Sequence, residues 1–294
     1  MKVAIYGQYY QNSTEPIIND IFKFLNKNNV DLVIEQAFLK ILHDKKLISN
    51  DYKTFVSHEE LDTSFDMLIS IGGDGTILRA ALLVQDSGIP VLGINAGRLG
   101  FLATVQKDNI ESLMQCVIDR SFTISPRNLI SLSTDPLNQE IEELNFALNE
   151  VAINRKDTTS MITIETWLNG EYLNSYWADG LIVATPTGST GYSLSCGGPI
   201  LTPDVQSFVI TPIAPHNLNA RPLVIPDQTE IRLKVTGRER QYLVSLDSRS
   251  TAIESDTVLT LRKTPFQINM VEIPNETFLK TLRNKLLWGE DKRN

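Results

Sequence analysis

The sequence predicts an α/β domain, Rossmann-like with a mostly parallel sheet, joined to an all-β domain, with a C-terminal helix that returns to the first. Three observations carry this. Up to about residue 122, short apolar runs alternate with helical patterns, the signature of a layered, mostly parallel sheet. Residues 123–267 hold strand-like runs with few helical patterns between them. Residues 268–294 end in a helical pattern that needs an apolar surface to pack on.

In chain order, Val3–Tyr6 reads as a strand stopped by Gly7. Asn12, Ser13 and Thr14 are N-cap candidates, and Pro16 suits a first helical turn. Ile17, Ile18, Ile21, Phe22 and Leu25 then recur at helical spacing. Val30–Glu35 is a second strand, and Phe38–His43 is helical. Met67–Ile71 and Pro90–Ile94 are continuous apolar runs, as in strands covered on both faces. Asp108 and Glu111 look like a capping pair before the helix Ile110–Ile118. Further strands follow at Ile130–Ser133, Ala147–Asn154, Met161–Leu168, Glu171–Trp177, Leu181–Ala184, Phe208–Pro212, Glu230–Val235, Tyr242–Leu246 and Val258–Arg262. Asn169-Gly170 marks a hairpin. Asn275 is expected to cap the last helix, which carries Phe278, Leu279, Leu282 and Leu286 and closes at Gly289.

Composition excludes several classes. The 294 residues carry a net charge of −8, which argues against broad nucleic-acid binding. Two cysteines, Cys116 and Cys196, are too few for a disulfide scaffold or a cysteine-based zinc site. Both read as small core residues. The histidines His43, His58 and His216 show no metal-ligand spacing. No run reaches the ~20 apolar residues of a membrane span, and the start lacks a signal-peptide layout. The expectation is a cytoplasmic protein with no membrane partner.

Three motifs carry chemistry. Gly72-Gly73-Asp74-Gly75-Thr76 lies where a buried strand turns into a helix. Glycines there allow backbone to approach a phosphate, and the helix N-terminus offers free N–H groups. A carboxylate beside a phosphate repels it unless it has a task, such as accepting a proton; the plainer reading is a glycine-rich turn with an Asp cap. The motif lacks the ending of a P-loop and the spacing of a dinucleotide fingerprint. The second motif runs from Thr185 to Ile200 and is dense in hydroxyls and glycines, which suits sugars, amides and phosphates. Tyr192 adds a flat face for a base. The third, Asn149-Glu150, is a polar pair in an apolar run that either faces solvent or meets a polar ligand.

Together these motifs, with Asn95-Ala-Gly97-Arg98-Leu-Gly100-Phe101-Leu, resemble the NAD kinase family in the same order and nearly end to end. The first motif is shared with diacylglycerol-type lipid kinases and more loosely with phosphofructokinases; the hydroxyl-rich motif is the specific one. The resemblance implies phosphorylation of the adenosine-ribose 2′-hydroxyl of NAD, with ATP and Mg²⁺ as donor. It implies Asp74 as proton acceptor. It places Gly75, Arg79 and Phe101 near the ligands, and Asn149 and Glu150 on adenine and ribose. Asp179 would accept from the nicotinamide carboxamide. Thr187, Thr190, Gly191, Tyr192, Ser193, Leu194 and Ser195 would line the dinucleotide. Arg98 and Arg221 are either phosphate contacts or surface charges.

There are departures. Trp177 stands where many relatives carry Arg, and either stacks on a base or packs in a core. Arg249 replaces a neutral amide and would reach a phosphate from a neighbouring subunit. Ser160 is smaller than the usual polar residue. No protein metal cage is expected; Mg²⁺ would arrive on the nucleotide. A homo-oligomer, dimer or tetramer, is implied. Two other readings stand beside it: a non-catalytic NAD(P)-binding sensor, which would have no use for Asp74, and a diacylglycerol-type lipid kinase, which would need a basic or amphipathic membrane face.

Overall fold

The computed structural model describes residues 1–9, 14–97, 99–103, 110–156, 160–217 and 219–288. Asn12, Ser13, Arg98, Asp108 and Gly289, named above, lie outside them. The chain divides into two units, Met1–Pro126 with Ile268–Asn294, and Arg127–Gln267.

The first unit is built on β1 (Lys2–Gly7), α1 (Thr14–Lys27), β2 (Asp31–Glu35), α2 (Gln36–Asp44), β3 (Lys53–Phe55), β4 (Met67–Gly72), α3 (Asp74–Val84), β5 (Val91–Asn95) and α4 (Ile110–Ile118). Its strands run parallel in the order β3-β2-β1-β4-β5. Residues 268–272 add a parallel partner beyond β5, with Met270 opposite Val91. The apolar face of α1 (Ile17, Ile18, Ile21, Leu25) shares one core with Leu113, Met114 and Val117 of α4 and with β1, β2 and β4. The strand order reverses between β1 and β4. In open parallel sheets, ligands gather at the carboxyl ends of the strands flanking such a reversal. Gln8 follows β1 there and donates from its backbone N–H to Ile71 O at 3.0 Å.

The second unit holds β6 (Thr123–Asp135, which begins in the first), α5 (Gln139–Glu143), β7 (Phe146–Ala147), β8 (Glu150–Arg155), β9 (Ile162–Leu168), β10 (Glu171–Ala178), β11 (Gly180–Ala184), α6 (Tyr192–Ser195), β12 (Ser207–Ile213), β13 (Leu223–Pro226), β14 (Ile231–Thr236), β15 (Gln241–Leu246), β16 (Arg249–Glu254) and β17 (Val258–Glu272, which ends in the first). An antiparallel sheet of order β13-β12-β11-β8-β15-β16 shares a core with strands β9, β14 and β17. The Asn169-Gly170 hairpin forms with both φ positive, 51° and 84°, as the right-handed twist of its strands requires.

The last helix, α7 (Phe278–Leu286), belongs to the first unit. Thr277, not Asn275, caps it, accepting from Lys280 N at 3.2 Å. Asn275 instead takes a left-handed turn at φ 69°. Cys116 and Cys196 are free and half-buried, and Cys196 packs against the small apolar cluster of Ala152, Ile182, Ala184 and Val209. No described helix is long and apolar enough to cross a membrane.

Candidate active-site residues

The Gly72–Thr76 turn sits at the carboxyl end of β4 and opens α3. Gly72 is fixed by a close approach: a Cβ there would lie 2.1 Å from Thr76 Oγ1. That hydroxyl donates to Gln8 Oε1 at 3.1 Å, tying the turn to the end of β1. Gly73 and Gly75 differ, since a Cβ on either would touch nothing within 4 Å. The turn therefore fronts open space.

Asp74 is a clasp. Its Oδ1 accepts the backbone N–H of Leu102 and of Ala103, each at 3.0 Å. Its Oδ2 accepts Phe101 N–H at 2.8 Å. Gly100 must be glycine, because a Cβ would sit 1.8 Å from Oδ1. A carboxylate has about four acceptor positions. Three are filled by these donors, so among the described residues Oδ2 retains one for an incoming hydroxyl. Phe101 is half-buried, and Lys285 of α7 lies over its ring at 5.7 Å. Lys285 is a cation over the Phe101 ring that local sequence did not single out. Arg79 is exposed one turn along α3.

The second cluster forms where β7 gives way to β8. Leu148 and Asn149 fall between the strands and break the continuous run the sequence implied. Their backbone groups are held on both sides. Asp247 takes the N–H groups of Leu148, Asn149 and Glu150 at 3.0, 2.8 and 3.2 Å. Thr185 takes the carbonyls: its Oγ1 donates to Leu148 O at 2.6 Å and its N–H to Asn149 O at 2.8 Å. Gly188 packs onto this corner, where a Cβ would lie 2.0 Å from Asn149 O.

Glu150 is 8% exposed, and among the described residues its Oε2 has no hydrogen-bond partner. Burial first, then the Asp247 charge, pushes its carboxyl up to about 8, against the pull of the Tyr192 N–H. A Cβ on Gly191 would come within 3.0 Å of Oε2 and 3.6 Å of Asn149 Nδ2. Asn149, Glu150, Gly191 and Tyr192 are thus brought together. Tyr192 is exposed, with its hydroxyl 3.5 Å from Asn154 Oδ1. Burial, with smaller contributions from Cys196, Asp179 and Glu150, raises its phenol above the ordinary value. Asp179 is paired with Arg155 at 3.2 Å.

Some expected contacts face elsewhere. Ser193 is buried and bonded to Thr211 at 2.8 Å, so its hydroxyl builds the turn. Thr187 is buried, and Thr190 donates to Thr187 O at 3.1 Å. Leu194 is half-buried and Ser195 exposed. Trp177 is 52% exposed, which corrects the core reading, and its ring meets His216 edge-on at 5.1 Å. Arg249 does not reach outward: its guanidinium donates to Leu144 O and Phe146 O and lies over the Phe146 ring. The paired carbonyls draw the cation inward. Asp247 lies in the run Leu246-Asp247-Ser248-Arg249, whose likeness to an Asp-Gly-Gln or Asp-Ser-Gln stretch of the family is visible in the sequence; its three backbone contacts are not.

The chain thus carries an α/β unit with a strand-order reversal at a Gly-Gly-Asp-Gly-Thr turn and a β-rich unit with a hydroxyl-rich turn. The sequence matches the ATP-NAD kinase N-terminal domain over residues 3–122 and the ATP-NAD kinase C-terminal domain over residues 148–273. It is 71% identical to an NAD kinase of Flavobacterium johnsoniae, with 100% of each chain covered. The fold resembles a yeast NADH kinase complexed with NADH, with TM-score 0.86, 23% identity, and 98% of this chain and 88% of that chain covered. It also resembles an NAD kinase from Archaeoglobus fulgidus in complex with ATP, with TM-score 0.75, 25% identity, and 98% and 99% covered. The chain belongs to the ATP-NAD kinase family.

Proposed function

We propose that the protein transfers the terminal phosphoryl group of ATP to the 2′-hydroxyl of the adenosine ribose of NAD, giving NADP. Full-length identity of 71% to an NAD kinase supports the reaction. The observation that carries the role of Asp74 is its one remaining acceptor position at the open turn. Three N–H donors fix the plane of the carboxylate. The ribose hydroxyl then donates to Oδ2 and is aimed by it. If phosphoryl transfer is loose, proton loss comes late and this aiming matters most. As the O–P bond forms, the proton passes to Oδ2 and ADP leaves.

In the same reading, Asn149, Glu150, Gly191 and Tyr192 hold the dinucleotide, Gly75 lets the backbone approach NAD closely, and Arg79 serves the phosphates. Among the described residues no three His, Cys, Asp or Glu side chains gather as a metal cage. In this reading Mg²⁺ comes with the triphosphate, where it keeps most of its water ligands and neutralises charge. We place the protein in the cytoplasm as a homo-oligomer; the edge strands β13 and β16 favour pairing or cover.

The test is NADP formation from NAD and Mg-ATP by the protein and by Asp74→Asn. Loss of a positioned acceptor should lower kcat by about 10²–10⁴, with NAD still bound in calorimetry. An Asp74→Asn protein with near-normal kcat would remove the acceptor role. A wild type that binds NAD without making NADP would favour a sensor.

A further inference from the structure

We propose that the Asp247–Arg249 turn is a positioning device for the dinucleotide: it fixes the Leu148–Glu150 corner and so sets where Asn149 and Glu150 point. The proposal rests on the reading that those two side chains hold NAD. The hairpin β15–β16 pairs Leu246 with Arg249, leaving a two-residue turn, and Asp247 takes φ 52° there. Asp tolerates this left-handed geometry better than most residues. The turn brings four hydrogen bonds from Asp247 onto one corner. Three N–H groups donate to its carboxylate, and its own N–H donates to Glu150 O at 3.0 Å.

Leu148 and Asn149 have no strand partner, so their N–H groups would be left wanting without Asp247. Arg249 holds the preceding segment by the carbonyls of Leu144 and Phe146. One turn therefore grips residues 144–150 by acceptors on one side and by donors on the other.

The grip is also electrostatic. Asp247 faces Glu150, whose Oε2 is buried and unpartnered. The other charged or titratable groups around them are Arg249 beside Asp247 and Tyr192 beside Glu150, with Cys196 and Asp179 in turn near Tyr192. Burial raises the Asp247 carboxyl, opposed by its three N–H donors and Arg249. Removing the Asp247 charge takes a like-charged neighbour from Glu150 and lets it ionise at lower pH.

Asp247→Asn separates this from a merely structural role. An amide oxygen can keep two of the three N–H groups, but its NH₂ then faces the third, donor against donor. Loss of one charge-assisted bond should raise KM for NAD about tenfold or more. With that, kcat should stay within about threefold and KM for ATP should hold, the pattern of lost uniform binding. The pH at which NAD affinity changes should move down. If Asp247→Asn only lowers Tm and the active fraction, with NAD KM and its pH profile unmoved, the proposal is overturned. Should Asp247→Asn not fold, Arg249→Lys decides. A single ammonium cannot hold both carbonyls, and NAD KM should rise roughly threefold or more; an unchanged KM refutes the proposal. Glu150→Gln distinguishes the underlying reading. If it leaves NAD binding intact, the corner does not hold NAD. If it weakens NAD while Asp247→Asn does not, only the positioning claim fails.

Discussion

Asp74 and Asp247 do the same thing to the backbone in two different units. Each gathers three consecutive N–H groups with two bonds on Oδ1 and one on Oδ2. Their surroundings differ. Around Asp74, glycines leave room: a Cβ on Gly73 or Gly75 meets nothing within 4 Å. Around the Asp247 corner, glycines are filled against: a Cβ on Gly188 or Gly191 would press on Asn149 O or Glu150 Oε2. The clasp that fronts open space can meet a reacting atom. The packed one can only act through what it holds. In the roles proposed here, one motif of anion chemistry supplies an acceptor in one place and a brace in the other.

The largest expected effect probes the packed corner. A carboxyl raised from 4.5 to about 8 by burial favours the folded state while it is protonated. That contribution is whole below about pH 4.5 and falls away as pH rises through about 8. It amounts to at most about 5 kcal/mol. Glu150→Gln should therefore match the wild type in stability near pH 4.5 and exceed it near pH 8.5. Denaturant titrations at both pH values measure the difference. Equal curves at pH 8.5 would mean that Glu150 is not a strained acid.

A smaller loss is expected at the open clasp. Gly100→Ala drives a methyl into Asp74 Oδ1. A displacement of about 1 Å can cost roughly 100-fold in rate, so kcat should fall by about that factor while NAD affinity holds. Steady-state kinetics with NAD varied reads both. The least effect on stability belongs to Gly75→Ala, where the residue is exposed and an added Cβ meets nothing within 4 Å, with unfolding free energy changing by no more than about 0.5 kcal/mol. Activity should nonetheless drop if ligand approaches this backbone, and an unimpaired Gly75→Ala would show that the open space is not used.

Much of this was legible in the sequence. Apolar runs alternating with helical periods gave the parallel unit, and Asn169-Gly170 gave a hairpin of the right twist. The Gly-Gly-Asp-Gly-Thr turn could be placed between strand and helix because both neighbours have strong local patterns. What was hidden depends on residues far apart in the chain. Asp247 meets Leu148 across 99 positions, and Arg249 meets Leu144 across 105. A lone Arg after a turn looks like a surface cation until the carbonyls that receive it are known. Asn149-Glu150 lay inside an apolar run, and no local signal marked the break that Asp247 bridges. Ser193 looked like a ligand hydroxyl because its partner, Thr211, belongs to another strand.

The most direct test sets the two clasps side by side: kcat and calorimetric NAD affinity for Asp74→Asn and Asp247→Asn. Asp74→Asn should lose kcat and keep NAD affinity. Asp247→Asn should lose NAD affinity and keep kcat. If both variants lose the same quantity, the two carboxylates do not divide reaction from positioning, and the account is wrong.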